Sequence, residues 1–174
     1  ICNSAGVIDF DKQYDMCRIG IALYGLYPSD EMDKSKIALT PAMQVKSHII
    51  HVKQDEKGTK IGYGHIYEEP ASRKIATISI GYADGFNRCL TGVGYVLING
   101  KKAPIVGKVC MDQIMVDVTA LDEKETYIGA PVVLLGKQGE ERITADEMAG
   151  WANTISYEML MAATARVPVI YAAE

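Results

Sequence analysis

The chain has 174 residues, of which 48% are hydrophobic and 23% are charged, and its formal net charge is -4. This length can bury one solid core with a small appendage. The acidic balance argues against a nucleic-acid partner, which requires a basic face, and no apolar run approaches the ~18 residues of a membrane helix, so we expect no membrane contact from this segment.

Residues 1–36 differ in composition from the rest of the chain. The run 18–28 (RIGIALYGLYP) is apolar and ends at a proline, whereas 29–36 (SDEMDKSK) is polar and charged. A charged stretch that follows a proline is typical of a linker. We therefore predict two domains, 1–36 and 37–174.

Short strands separated by glycines dominate the second domain. Asn99-Gly100 lies between two apolar runs and predicts a tight hairpin, because both turn residues must adopt positive φ. Many short strands with glycine turns favour a closed or nearly closed β-barrel. The predicted strands are 43–52, 74–82, 95–98, 101–106, 114–118, 131–135 and 166–171.

One or two short helices complete this mainly β fold. Thr144 followed by Glu147 forms a capping box, and Asn153 suits a left-handed helix stop. A second short helix is predicted from Ser156 through Met161.

The cysteines match no zinc-ligand spacing, so no metal site is expected. Cys110 invites the hypothesis of a nucleophile, but no histidine partner is placed beside it, and a small packed thiol is the alternative. Reduced thiols in the cytoplasm are the favoured interpretation for all four, which are Cys2, Cys17, Cys89 and Cys110.

Three further clusters stand out, and the last two each allow two interpretations. Ser4, within Asn3-Ser4-Ala5, belongs to a cap or turn by default. Arg18 is either a salt-bridged arginine at a strand end or part of an anion or heterocycle site, in which Gly20 lets the backbone amides of residues 20 and 21 approach a phosphate. Tyr63, flanked by glycines, either packs in a turn or presents its phenol to a ligand.

Taken in order and spacing, these motifs resemble the C-terminal half of the alanine racemase family. The resemblance covers nearly the whole chain. It rests on Asn3-Ser4-Ala5, the run 18–28, Gly62-Tyr-Gly-His65, Gly81-Tyr-Ala-Asp-Gly85, Ala103-Pro-Ile-Val-Gly107, Val109-Cys-Met-Asp-Gln113, Thr154-Ile-Ser-Tyr-Glu158 and Arg166-Val-Pro168.

The resemblance implies an isomerase that interconverts L- and D-alanine with pyridoxal 5'-phosphate and supplies D-alanine for peptidoglycan. It also implies a homodimer whose active sites are shared between subunits. Residues 1–36 would be the tail of an N-terminal (β/α) barrel, and 37–174 would be the C-terminal β domain. The family's cofactor-bearing lysine lies upstream of the matched half, so we expect the chain to begin inside a larger protein and to be inactive alone.

The same resemblance assigns the cofactor contacts. Ser4, the amides of Gly20 and Ile21, and Tyr157 would bind the phosphate, and Arg18 would pair with the pyridine nitrogen. Because a guanidinium retains its proton, that nitrogen would stay unprotonated, which favours racemisation over transamination.

Substrate contacts follow in the same way. Tyr63 would be one of two catalytic bases on opposite faces of the substrate; a free phenol ionises near pH ~10, so neighbouring cations or donors would be needed. Met111 would contact the substrate carboxylate through its backbone.

The substrate access channel would be lined by Tyr82, Arg88, Lys108 and Asp112. Lys108 stands where the family usually has arginine, so a bidentate contact would become a point charge.

Two alternatives stay open. One is the racemase domain of a membrane-bound serine or alanine racemase, which would be membrane-tethered rather than cytoplasmic; Tyr157 favours alanine, because the serine enzymes tend to have asparagine there. The other is a non-catalytic β-barrel module for dimerisation. Retention of Arg18, Tyr63 and Tyr157 together argues against the second.

Overall fold

The computed structural model describes residues 1–12, 14–65, 67–68 and 70–172. It divides into two compact units, Ile1–Met43 and Gln44–Glu174. Ile66, which directly follows the segment Gly62-Tyr-Gly-His65, lies outside the described residues.

The first unit contains a parallel strand pair joined through a helix. Its elements are β1 (Cys2–Asn3), α1 (Ser4–Asp9), β2 (Cys17–Arg18) and a 3-10 turn at Ile21–Tyr24. Asn3 pairs with Arg18 across the two strands. Parallel strands require a crossover connection of this kind, and a helix usually supplies it. The assignment of this unit to the tail of a (β/α) barrel stays a prediction.

The second unit is built mainly from short strands. They are β3 (Val45–Asp55), β4 (Lys60–Ile61), β5 (Tyr67–Glu68), β6 (Arg73–Ile78), β7 (Tyr95–Ile98), β8 (Lys101–Val106), β9 (Ile114–Asp117), β10 (Pro131–Gln138) and β11 (Glu141–Ile143). Short 3-10 turns lie at Tyr63–His65, Tyr82–Asp84, Arg88–Leu90 and Glu123–Glu125.

Six of these strands close into an antiparallel ring, which confirms the predicted β-barrel. The order is β10-β3-β6-β9-β8-β7, and β7 pairs back onto β10. The first half of β10 joins β3 and β7, and its last residues pair with β11. Closure leaves no unpaired sheet edge in the ring.

Aliphatic side chains along the barrel strands are fully buried on both faces, since strand neighbours such as Leu97 and Ile98 point to opposite sides. Removing such surface from water is the main driving force for the fold, at about 1.5–3 kcal/mol for each large side chain. The largest fully buried residues include Ile49, Ile75, Ile78, Leu97, Ile98 and Ile114.

The predicted hairpin is confirmed at β7 and β8. Asn99 has φ 50° and Gly100 has φ 72°, and Ile98 faces Lys101 across the ladder. Both central residues of the turn are left-handed, as a two-residue hairpin of this twist requires. Asparagine and glycine are the residues that tolerate this backbone conformation best.

Both predicted helices are confirmed. The helix α2 spans Ala145–Ala152; the Thr144 hydroxyl accepts a hydrogen bond from the Glu147 amide at 3.1 Å, and Asn153 ends the helix with φ 53°. The helix α3 spans Ser156–Met161. No helix in the described part of the chain is long and apolar enough to cross a membrane.

The strand predicted at 166–171 is wrong. The amide of Val167 donates to the Thr164 carbonyl at 3.0 Å, so the chain makes a turn where the strand was expected. Pro168 has no amide hydrogen to donate to a ladder, and the side chain of Tyr171 is 93% exposed. Alternating apolar residues form a strand only where a partner strand and a core face are available.

Candidate functional site

One depression in the second unit collects six of the residues to which the family resemblance assigns a role. They are Tyr63, Tyr82, Arg88, Lys108, Met111 and Asp112, and Val109, Cys110 and Gln113 complete the lining. The depression has a volume of about 640 Å³, which is within the range of small-molecule sites. Residues from four separate turns therefore converge on one place, although their catalytic, substrate and channel roles stay predictions.

The turn 81–85 forms one wall and ends the preceding strand early. The strand predicted for 74–82 stops at Ile78, and Gly81 then accepts backbone hydrogen bonds from Asp84 and Phe86 at 3.1 Å each. The Asp84 carboxylate accepts from the Gly81 amide at 2.9 Å, and Gly85 adopts φ 103°. This compact turn fixes Tyr82 at the edge of the depression.

The turn 110–113 forms the adjoining wall and is bonded directly to the turn 81–85. The amides of Tyr82 and Ala83 donate to the carbonyls of Cys110 and Met111, both at 3.0 Å. Cys110 also donates its own amide to the Gln113 carbonyl at 3.0 Å. The amide of Met111 has no acceptor among the described residues, so it is available to a ligand carboxylate.

At Gly81 the backbones of these two walls lie close together. A Cβ atom placed there would lie 2.3 Å from the Met111 carbonyl oxygen and 2.4 Å from the Cys110 carbonyl oxygen. Its φ of -150° is open to any residue, so close approach rather than backbone conformation requires glycine.

We expect Gly81→Ala to separate the two turns and to lower the free energy of unfolding by about 1–3 kcal/mol through overpacking. Gly150→Ala is the matched control, because no atom lies within 4 Å of a Cβ at that helical glycine, and alanine is favoured over glycine there by about 0.5–1 kcal/mol. Urea unfolding of both variants checks this. Equal stability of the two would contradict the close approach.

Tyr63 presents its ring to solvent rather than packing it. The residue is 79% exposed and lies between Gly62 and Gly64, which adopt φ 74° and 79°. The ammonium of Lys108 is 3.4 Å from the position a Cβ would occupy at Gly64. The ring therefore does not pack in its turn, and presentation of the phenol to a ligand stays a prediction.

Cys110 behaves as a packed thiol. It lies against the buried cluster of Ile61, Ile75, Val106 and Met115, and its Sγ lies 3.5 Å from the Lys108 carbonyl oxygen, to which it donates. This placement favours packing over the alternative of a nucleophile.

The depression holds both signs of charge. Arg88 lies over the Tyr82 ring, with its guanidinium carbon 5.8 Å from the centroid. Neither Arg88 nor Lys108 forms an ion pair with a described carboxylate. Asp112, in contrast, is paired with Arg166 at 2.6 Å.

Arg166 is the residue that sequence reasoning missed. The sequence predicts Arg166 as the first residue of a strand, yet its guanidinium contacts Asp84 at 3.3 Å and Asp112 at 2.6 Å. The only sequence signal was an arginine next to Val167-Pro168 in the block 166–168, which does not reveal carboxylates more than fifty residues away.

In the first unit, Ser4 and Gly20 are brought together. The Ser4 hydroxyl oxygen accepts from the Gly20 amide at 2.9 Å and from the Ala22 amide at 3.5 Å. Within the described part of the chain, neither the hydroxyl hydrogen nor the Ile21 amide has an acceptor. No atom lies within 4 Å of a Cβ at Gly20, so open space adjoins these donors.

The capping interpretation of this segment is also supported, because Asn3 caps α1 by accepting from the Gly6 amide at 3.0 Å. A cap and an anion site are compatible here. The Asn3 side chain caps α1, whereas the Ser4 hydroxyl binds the amides of the turn that begins at Gly20. Arg18 has no ion-pair partner among the described carboxylates. A salt bridge within the described chain therefore does not account for it.

Tyr157 belongs to the second unit. It lies in the first turn of α3 and is 39% exposed. The described residues offer its hydroxyl no hydrogen-bond partner, which leaves the phenol available to a ligand.

Comparison with known proteins gives a consistent result. The family model described as "Alanine racemase, C-terminal domain" matches residues 42–171. The alanine racemase of Desulfosudis oleivorans is 45% identical over 97% of this chain and 43% of its own length, and that of Clostridium novyi is 42% identical over 98% and 44%. The chain therefore spans less than half the length of these relatives.

Solved structures agree with the sequence relatives. The crystal structure of alanine racemase from Bacillus anthracis with bound L-Ala-P superimposes with a TM-score of 0.87 at 42% identity, covering 95% of this chain and 42% of that one. The structure from E. faecalis gives 0.86 at 43% identity, covering 96% and 44%.

Proposed function

The chain belongs to the alanine racemase family, and we propose on that basis that it forms one side of the active site of a pyridoxal-phosphate-dependent enzyme that interconverts L- and D-alanine. The observation that carries the proposal is the convergence of Tyr63, Lys108, Met111 and Asp112 on one depression. Because the relatives are more than twice as long, the lysine that carries the cofactor is proposed to lie on an upstream barrel domain.

The first unit suits the cofactor chemically. A phosphate requires hydrogen-bond donors and space, and the Ser4 hydroxyl, the Ile21 amide and the open face of Gly20 supply both. Arg18, which has no ion-pair partner among the described carboxylates, would donate to the pyridine nitrogen. The family resemblance also assigns the Tyr157 hydroxyl to the phosphate. When bound, pyridoxal phosphate supplies the electron-withdrawing ring that lets an amino acid release its α-hydrogen as a proton.

Residues of this chain would transfer the proton and bind the substrate carboxylate. Tyr63 would take the α-proton at its phenol oxygen on one face of the substrate, and a second base would act on the opposite face. The Met111 amide would donate to the substrate carboxylate, and the cations of Lys108 and Arg88 would attract it. Arg18 would keep its own proton, so that the pyridine nitrogen receives none.

We also propose that the enzyme is a homodimer whose depression faces the partner subunit. The proposal is supported by the exposure to solvent of two residues of the depression, since Tyr63 is 79% exposed and Met111 is 52% exposed. Large side chains exposed together next to candidate catalytic groups suit a surface that a second chain covers.

The test follows loss of optical activity by the intact enzyme that contains this chain, with pyridoxal phosphate added, using L-alanine and L-serine side by side. We expect faster turnover of alanine. The isolated 174-residue chain is the matched control and should be inactive, because the cofactor-bearing lysine is proposed to lie elsewhere.

Faster turnover of serine would indicate a serine racemase. The comparisons do not favour that assignment, because the matched proteins are named alanine racemases. If neither amino acid is turned over, the result would favour the alternative hypothesis of a non-catalytic β-barrel module for dimerisation. Racemase activity that copurifies with the isolated chain would overturn the proposed division between domains.

A further inference from the structure

Arg166 lies between the two turns that form the wall of the depression. Its Nη2 atom donates to an Asp112 carboxylate oxygen at 2.6 Å, and its Nε atom is 3.3 Å from an Asp84 carboxylate oxygen. One guanidinium therefore forms ion pairs with two carboxylates that lie on different turns.

The segment around Arg166 is itself fixed to the turn 81–85. The Thr164 hydroxyl donates to the Ala83 carbonyl at 2.9 Å, and the Thr164 amide donates to the Asp84 carbonyl at 3.2 Å. Gly85 approaches the Ala162 carbonyl so closely that a Cβ there would lie 1.9 Å from its oxygen. The guanidinium thus reaches Asp112 from an anchored backbone.

The pairing changes the charge that the depression shows to a ligand. Asp112 lines the depression directly beside Met111, and an unpaired carboxylate there would repel an anionic substrate group. With Arg166 in place, the Asp112 carboxylate in the lining has a cationic partner, whereas the cations of Arg88 and Lys108 have no ion-pair partner among the described carboxylates.

We propose that Arg166 is a positioning residue for substrate binding, which holds and neutralises Asp112 so that the depression accepts a carboxylate. The inference rests on the proposed function. It concerns affinity for the carboxylate group, not the proton transfer at Tyr63, so its main effect is on KM.

The experiment measures KM and kcat for L-alanine in the intact enzyme and the affinity for propionate by calorimetry. Arg166→Ala is expected to raise KM and weaken propionate binding by about 3- to 10-fold, with kcat changed by less than about 3-fold. In Arg166→Ala combined with Asp112→Asn, most of the affinity should return, because the exposed charge is gone.

Two further variants separate charge from folding. Arg166→Lys retains the charge and should keep KM within about 2-fold of the parent. Arg142→Ala removes an exposed arginine of β11, outside the lining, and should leave both parameters unchanged.

An unchanged KM in Arg166→Ala would overturn the proposal. A raised KM that Asp112→Asn does not relieve would also overturn it, because that pattern indicates loss of structure rather than exposure of a charge. If the intact parent has no racemase activity, the proposed function fails, whereas propionate calorimetry still decides whether Arg166 controls carboxylate affinity.

Discussion

Replacing Tyr63 with phenylalanine should lower kcat by about 10²- to 10⁴-fold, the usual contribution of a positioned acid or base. The ring would remain, and only the phenol oxygen, which we propose exchanges the proton, would be lost. Because Tyr63 would act on one face of the substrate, exchange of the α-hydrogen should fall much more for one enantiomer than for the other.

Nuclear magnetic resonance in D₂O measures this asymmetry directly, through incorporation of deuterium at Cα of L- and D-alanine. Tyr127→Phe is the matched control, since Tyr127 is also exposed (56%) but lies outside the lining of the depression. Small and equal losses for both enantiomers would rule out a one-face base at Tyr63.

Changing Arg18 to glutamate should convert part of the racemisation into transamination. A carboxylate beside the pyridine nitrogen would hold a proton there, whereas a guanidinium does not give one up. The ratio of pyruvate formed to alanine racemised should rise about 10-fold or more, which corresponds to a shift of ~1.4 kcal/mol between the two barriers.

Pyruvate released by the intact enzyme can be followed with lactate dehydrogenase while racemisation is measured in parallel. Lys12→Glu provides a charge reversal at another exposed residue of the same unit, and its product ratio should match the parent's. If Arg18→Glu leaves the ratio unchanged, Arg18 is not the partner of the nitrogen.

The β-barrel was predictable because its strongest signals are local. Asn99-Gly100 specifies its turn through backbone sterics alone, and Thr144 caps its helix with a residue three positions away. Information of this kind lies within a few residues of sequence, so it can be read without the fold.

The charge pattern of the depression was not predictable in the same way. Arg166 meets Asp84 and Asp112 only after the barrel and the last turn have formed, and no short motif encodes that meeting. The strand expected at 166–171 failed for the related reason that pairing depends on an available neighbour. The resemblance to a family identified the candidate site residues, but it did not reveal what neutralises Asp112.

The strand β10 has a consequence for how the barrel folds. It closes the ring by pairing with β3, whose residues lie more than eighty positions earlier in the chain, so a large loop-closure entropy must be overcome before these contacts form. The hairpin of β7 and β8 joins neighbours in sequence and can form early. During synthesis on the ribosome, the ring cannot close until β10 has emerged. Until then, the edge of β3 that pairs with β10 remains unpaired. Destabilising β10 should therefore slow folding and promote aggregation of nascent chains.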